Sequence, residues 1–368
     1  MPITCDCLII GGGIAGIGLA AHLGAERSTV ILEMEDAPGR HATGRSAAIF
    51  IRNYGNATLR ALNGASVEVL SGGGGFAETG FLSPRGELVV AKADEMERFS
   101  AYLQGADGLE EIPVAEARRL FPILSDDHVA AAHEAGAADI DVDRLLQAYL
   151  RAARHAGSRL VTSARVSAIS RKGDVWRVEA GGETYEAPVL VNAAGAWADT
   201  VAGLAGLPPL GIQPYRRSAA ILPAPEGMDV SSWPAVVSAS EAWYAKPEAG
   251  KLLVSPADED PLEPQDAWPD DMVLAEGLDR FEKATTVSVT RVERSWAGLR
   301  SFAPDRTPVA GFSDRADGFL WLAGQGGYGI QTSPALSRLA ADLILGRTPA
   351  LAPAVVAALD PGRFNSYG

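Results

Sequence analysis

Hydrophobic positions open the chain as two short apolar runs with a helical stretch between them. Cys7-Leu8-Ile9-Ile10 reads as a strand, an alanine-rich helical pattern runs from Ile14, and Ser28-Thr29-Val30-Ile31-Leu32 reads as a second strand. Further along, a helical pattern spans Asn56 to Leu70 and stops at Gly72-Gly73-Gly74-Gly75, a flexible connection since it follows a helix. Phe81-Leu82-Ser83 and Glu87-Leu88-Val89-Val90 are strand-like, and Asp94 and Glu95 begin a helix. Asp139 to Asp143 supplies capping carboxylates for a helix that reaches Ala156. A strand pair is predicted at Arg165–Ser170 and Val175–Glu179, then a buried run from Ala187 to Asn192, a turn at Gly195 and a helix through Gly203. Between 211 and 300 the pattern changes: Ser218–Leu222, Ala235–Ser238, Leu252–Ser255 and Thr286–Thr290 alternate with turns and predict an antiparallel sheet. The acidic, proline-rich stretch Ala257–Asp271 reads as a solvated surface loop. A last strand, Gly318–Ala323, meets a second glycine cluster, and a helix is predicted from Ser333-Pro334 to about Leu345.

The first strand runs directly into Gly11-x-Gly13-x-x-Gly16, and the second strand ends on Glu33. In that context the glycines make a dinucleotide-binding βαβ unit. Gly11 allows the tight turn, Gly13 lets the backbone approach a pyrophosphate, and Gly16 lets helix pack on strand. Ile14 and Ala15 begin a helix whose N–H groups and dipole favour phosphate, and Glu33 can accept from ribose hydroxyls. A glycine-rich turn in an ordinary α/β protein is the plainer alternative. After Glu33 the small residues and turn formers of Asp36 to Ala48 suit backbone lying against a large flat ligand. The dinucleotide sheet is assembled from three separated pieces, with glycine-rich helix starts at both ends of the chain. A cofactor reaching from the first to the last fits FAD, with NAD as the alternative. The fold expected is α/β (α+β overall). It pairs a Rossmann-like FAD-binding domain (1–50, 142–208 and 306–368) with a largely antiparallel β-sheet substrate domain (51–141 and 209–305).

Bulk properties narrow the partners. With 368 residues, 47% of them hydrophobic, the chain can bury a sizeable core. A net charge of −14 disfavours nucleic acid and anionic membrane surfaces. The two cysteines, Cys5 and Cys7, fall on one face of the first strand and make no disulfide framework; the five histidines show no metal-ligand spacing. No leader pattern and no apolar run of membrane-spanning length is seen, so a cytoplasmic protein with no integral membrane segment is expected.

Five segments together carry a resemblance: Gly11–Gly16, His41–Ala48, Leu190–Trp197, Trp296–Phe302 and Gln325–Thr332. They resemble the FAD-dependent D-amino-acid oxidase/dehydrogenase family over nearly the whole chain, and within it the D-arginine dehydrogenase branch. The resemblance implies non-covalent FAD contacting Gly11, Gly13, Ile14, Ala15, Gly16, Glu33, Arg40, Thr43, Gly44, Arg45, Ser46, Ala47 and Val166. It extends those contacts to Ala194, Gly195, Trp197, Arg300, Gly326, Gly327, Tyr328, Gly329, Ile330, Gln331 and Thr332, the last two near the flavin pyrimidine edge. It also implies that Arg217 and Arg300 clamp a substrate carboxylate, as planar guanidinium forks do. Tyr54 and Tyr244 border the substrate, the Gly327 backbone accepts from its amine, and Glu87 meets a basic side chain. Ile49 and Ile51 stand where that branch carries histidine and threonine, which makes the pocket more apolar there.

The activity so implied is oxidative deamination of a D-amino acid, basic ones such as D-arginine or D-lysine included. Hydride passes from Cα to flavin N5, and the imino acid then hydrolyses to 2-oxo acid and ammonia. The partner is a small amino-acid substrate, and the electron acceptor is left open. Oxidation of secondary amines of the sarcosine or glycine type, oxidation of 2-hydroxy acids, and flavin binding without turnover stand as alternatives. Each residue also has a plainer reading: ion-pair partner for the arginines, packed aromatic for the tyrosines, solvent-facing acid for Glu87.

Overall fold

A computed structural model describes residues 1–367, of which 365–367 are described by backbone alone. Six strands form a sheet in the order Arg159–Val161, Thr29–Leu32, Cys7–Ile10, Val189–Asn192, Phe319–Ala323, Val309–Phe312. The first five run parallel and the last antiparallel. Every residue of Cys7–Ile10 and Thr29–Leu32 is buried, as a sheet covered on both faces requires. Cys7, Ile9, Ile31 and Val191 pack under the helices Ile14–Leu23, Val142–His155 and Gly329–Ile344. Leu8, Ile10, Val30 and Leu190 face the other way, against a four-stranded sheet (Ile3–Thr4, Glu183–Ala187, Val175–Ala180, Val166–Lys172) and the helix Ala198–Leu204.

An eight-stranded sheet follows the order Arg294–Phe302, Gln213–Leu222, Lys251–Ser255, Tyr244–Glu248, Ala235–Ser238, Glu87–Lys92, His128–Glu134, Leu109–Ile112. It is antiparallel except where Ala235–Ser238 pairs in parallel with Glu87–Lys92. On one face Leu88, Val90, Ala220, Ala245 and Val254 pack against Leu274, Leu278 and Phe281 of the helix Asp271–Ala284. Side chains alternate along a strand, so the registers put Glu87, Val89, Tyr244, Arg217 and Arg300 on the opposite face. That face looks toward the glycine-rich turns.

Several expectations need correction. Thr286–Thr290 forms no strand; its alternation reflects Val287 and Val289 resting on the core beneath the large sheet. The paired strand lies just beyond, at Arg294–Phe302. The stretch Ala257–Asp271 is not simply solvated: Asp258 and Ala267 are buried, and Asp270 caps the helix Asp271–Ala284. The last long helix begins at Gly329 rather than at Ser333-Pro334. Cys5 and Cys7 do not share a face, because the chain bends between Thr4 and Cys7 and sends them into different cores. Pro188, which has no N–H to offer a ladder, separates Glu183–Ala187 from Val189–Asn192.

Candidate active site

The parallel sheet and the large sheet face each other across one elongated cavity. At one end it is lined by Gly11, Gly13, Ile14, Ala15, Glu33 and Arg40. Thr43, Arg45, Ser46, Ala47, Val166, Ala194, Gly195 and Trp197 line its middle. Arg217, Tyr244, Arg300, Gly326, Gly327, Gly329 and Ile330 close the far end. Residues from both ends of the sequence therefore border one space.

The first turn is built by close approach. Gly11 has φ +115°, and a Cβ there would stand 2.2 Å from the Ala193 carbonyl oxygen. Only glycine accepts both demands. Glu33, 8% exposed, accepts from the Gly12 amide at 2.8 Å and from the Glu35 amide at 2.9 Å. Thr43 Oγ1 accepts from the Ile14 amide at 3.1 Å, which pins the loop after Glu33 onto the helix start. No side chain caps the N-terminus of Gly329–Ile344, whose Gly329 and Ile330 border the cavity. The cavity thus has a glycine turn and a helix N-terminus at one end and a second helix N-terminus at the other. That donor set fits a dinucleotide carrying a polar ring system. Gly16 and Gly44 support the turn from outside the lining.

Two cations meet at the far end. Arg217 and Arg300 lie on neighbouring strands of the large sheet, where Arg217 pairs with Gly298 and Tyr215 with Arg300. Burial, and then the charge of Arg300, hold the Arg217 pKa below the ordinary guanidinium value. Arg217 Nη2 donates to Glu259 Oε1 at 3.1 Å. Arg300 has no carboxylate within ion-pair reach among the described residues; its Nη1 donates to Tyr54 Oη at 3.3 Å. The guanidinium lies against Gly327, where a Cβ would stand 2.8 Å from Cζ. Tyr54 stacks on Tyr328 with ring centroids 4.7 Å apart.

Glu87 is 3% exposed and borders no part of this cavity. Burial, with the nearby Glu134 carboxylate, pushes its carboxyl up to about 8, against the pull of the Tyr102 hydroxyl. Tyr102 Oη donates to it at 3.2 and 3.3 Å. Tyr54 and Tyr328 also lie outside the lining. The side chains of Gln331 and Thr332 turn away from it: Gln331 Nε2 donates to Asn63 Oδ1 at 2.9 Å, and Thr332 Oγ1 donates to the Tyr328 carbonyl at 2.8 Å. Sequence reasoning missed Asn63, Glu134 and Glu259, whose partners are remote in sequence. It also missed Gln265 and Ala267, which line the middle of the cavity. Among the described residues no group of three or more His, Cys, Asp or Glu could hold a metal ion. Nor is any described helix long and apolar enough to cross a membrane.

The chain is similar to known proteins in sequence and in fold. The sequence model of the FAD dependent oxidoreductase family (DAO) matches residues 6–343. An uncharacterized oxidoreductase of Bacillus subtilis (strain 168), YurR, is 27% identical over 92% of this chain and 95% of its own length. A glycine oxidase of Geobacillus kaustophilus (strain HTA426) is 26% identical over 92% of both chains. In fold, the crystal structure of L-proline dehydrogenase from P. horikoshii superposes with a TM-score of 0.84 at 21% identity, covering 100% of this chain and 99% of that one.

Proposed function

Since the chain belongs to the FAD-dependent oxidoreductase family (DAO) and is an FAD enzyme of the amine and amino-acid oxidising kind, we propose that it deaminates D-amino acids oxidatively. The carboxylate is gripped between Arg217 and Arg300, and the imino acid formed hydrolyses to 2-oxo acid and ammonia. The observation that carries this reading is Arg300: a guanidinium that borders the cavity and that, among the described residues, bonds a phenol and no carboxylate. Burial works against its charge, while Tyr54, Tyr244 and, more weakly, Glu259 favour it and hold its pKa above the ordinary guanidinium value; a charged guanidinium on the cavity wall is what an anionic ligand would meet. FAD, when bound, accepts the hydride from Cα.

The chain's own residues do the rest by position. Two guanidinium groups fix the plane of the carboxylate and hence the direction of the Cα–H bond. The Gly327 carbonyl takes a hydrogen bond from the amine. Tyr54 and Tyr244 cover the reacting carbon and keep water from it. No side chain acts as a strong base in this scheme; loss of the amine proton to solvent is enough.

Glu87 shares the Arg217 face of the large sheet but lies outside the cavity lining, so its proposed role as partner of a basic side chain requires that side chain to reach past the lining and displace Tyr102. The Glu87 carboxyl, with a pKa near 8, holds a proton at neutral pH while no cation is near. Meeting an ammonium or guanidinium group would ionise it, so a basic substrate should release a proton on binding and a neutral one should not. A second reading, oxidation of a secondary amine, draws on the likeness to a glycine oxidase and to the fold of L-proline dehydrogenase.

Anaerobic mixing of the holoenzyme with D- and L-amino acids, sarcosine, glycine and proline decides between them. Bleaching of the flavin by D-amino acids, fastest with D-arginine or D-lysine, is expected. Bleaching by sarcosine or proline alone would replace this reading with the second. Arg300→Ala should lower kcat/KM by about 30- to 1000-fold, the loss of roughly 2–4 kcal/mol for one partner of a desolvated charge pair, seen mostly in KM.

A further inference from the structure

We infer that Glu259 is an internal competitor for Arg217, a carboxylate of this chain that fills the arginine's grip until a substrate anion displaces it, and so sets how tightly substrate binds. This rests on the proposal that Arg217 holds the substrate carboxylate. Two consecutive loop residues occupy one edge of the guanidinium. Nε donates to the Asp258 carbonyl at 2.9 Å, and Nη2 donates to Glu259 Oε1 at 3.1 Å. A carboxylate on Nη2 takes one of the two groups that a ligand carboxylate needs for an end-on, two-point grip.

Glu259 is also held from outside. Arg306 Nη2 reaches both of its oxygens, at 2.9 and 3.0 Å. The Arg306 guanidinium lies 3.9 Å over the Phe302 ring. The acid therefore hangs between an inner arginine, whose side chain is 11% exposed, and an outer one, 46% exposed. The backbone beneath it is fixed. Asp258 accepts from the Ser218 amide at 2.6 Å, from Ser218 Oγ at 2.8 Å and from Arg216 Nε at 3.2 Å.

An exchange then needs only a side-chain rotation. Glu259 leaves Nη2 and keeps its pair with Arg306, so no charge is stranded. The Asp258 carbonyl keeps Nε, and the incoming carboxylate takes Nη1 and Nη2 end-on. Neutralising Glu259 should tighten carboxylate binding, whereas removing Arg306 should throw Glu259 back on Arg217 and weaken it.

The test is titration of the holoenzyme with benzoate, followed by flavin absorbance, with benzamide as the uncharged control. Glu259→Gln is expected to lower the benzoate Kd about fivefold or more, roughly 1 kcal/mol, and Arg306→Gln to raise it. In an Arg217→Ala background, E259Q should have no effect. Glu263→Gln, which removes a charge from the same exposed loop, should leave Kd in place. An E259Q Kd equal to that of the parent overturns the inference, as does equal tightening by E263Q, which would mean a general charge effect. If R217A and R300A both bind benzoate like the parent, the clamp itself is wrong and this inference falls with it. Lost binding in those two with an unmoved E259Q refutes the competitor alone.

Discussion

Glu87 shows how a single buried acid can be tested apart from catalysis. Its pKa in the folded protein is raised from 4.5 to about 8. The folded state therefore holds the proton more tightly than the unfolded chain does. The stability this confers is complete below pH 4.5 and declines by about 1.4 kcal/mol per pH unit as pH rises toward 8. Glu87→Gln keeps the shape and an acceptor for Tyr102 but cannot ionise. Urea denaturation from pH 4 to 9 should show the two proteins matched at pH 4 and the variant more stable by a few kcal/mol at pH 9. Parallel curves would mean that Glu87 titrates normally. The resemblance marked Glu87 as the partner of a basic side chain; its burial and its neighbours Glu134 and Tyr102, brought in by other elements, were not legible. Gly11 and Gly13 were legible for the opposite reason, since the turn they make is local. Arg217 and Arg300 were found by resemblance. Glu259 carried no sequence signal, because its partners Arg217 and Arg306 lie 42 and 47 residues away.

Among the elements, the helix Gly329–Ile344 departs most instructively from its sequence signals. Serine followed by proline ordinarily marks a helix start, yet Pro334 lies inside this helix. Proline has no N–H for the carbonyl four residues back, here that of Ile330. Ser333 Oγ supplies the missing donor, at 2.9 Å from the Ile330 oxygen. The helix can therefore begin a full turn earlier, which brings Gly329 and Ile330 to the cavity. Ser333→Ala should cost about 1–2 kcal/mol, as a buried carbonyl left unpaired does. In the double variant S333A/P334A the backbone N–H returns, so chemical denaturation should give a loss smaller than the sum of the two single losses. An additive result would show that Ser333 does not serve this carbonyl. The helix Ala57–Leu70 was readable from its spacing, and Asn56, taken as its first residue, is its cap. Its inner task was not: Asn63 Nδ2 lies within 3.3 Å of the carbonyls of Ile51, Arg52 and Tyr54. With Gln331 as the bond partner of Asn63 Oδ1, the segment carrying Tyr54 is tied to the start of the last long helix.

At the scale of the whole molecule, the candidate site lies in a seam between two sheets that the chain enters and leaves repeatedly. Apolar runs and glycine turns revealed four strands of the parallel sheet, but not its edge strands Arg159–Val161 and Val309–Phe312. The large sheet was only partly visible, since Arg294–Phe302 and Tyr244–Glu248 carry the site's polar residues and so lack a clean alternation. Arg45 joins the two across the cavity. Its Nη1 donates to the carbonyls of Ala267 and Ala297 at 2.9 and 3.0 Å, and its Nη2 pairs with Asp266. The Arg45 carbonyl in turn accepts from Trp296 Nε1 at 3.1 Å. One residue thus holds the loop bearing Ser46 and Ala47 against the strand bearing Gly298 and Leu299, and all four line the cavity. Arg45→Ala should let these walls part and raise the FAD Kd at least tenfold, about 1.4 kcal/mol, measured by reconstituting apoprotein. A ligand stabilises the folded state in proportion to the logarithm of its concentration over Kd. If Arg45 acts on the cofactor site, the Tm gap between variant and parent must be wider in excess FAD than without it. An equal gap in both conditions would make Arg45 a tie between sheets with no hold on the cofactor.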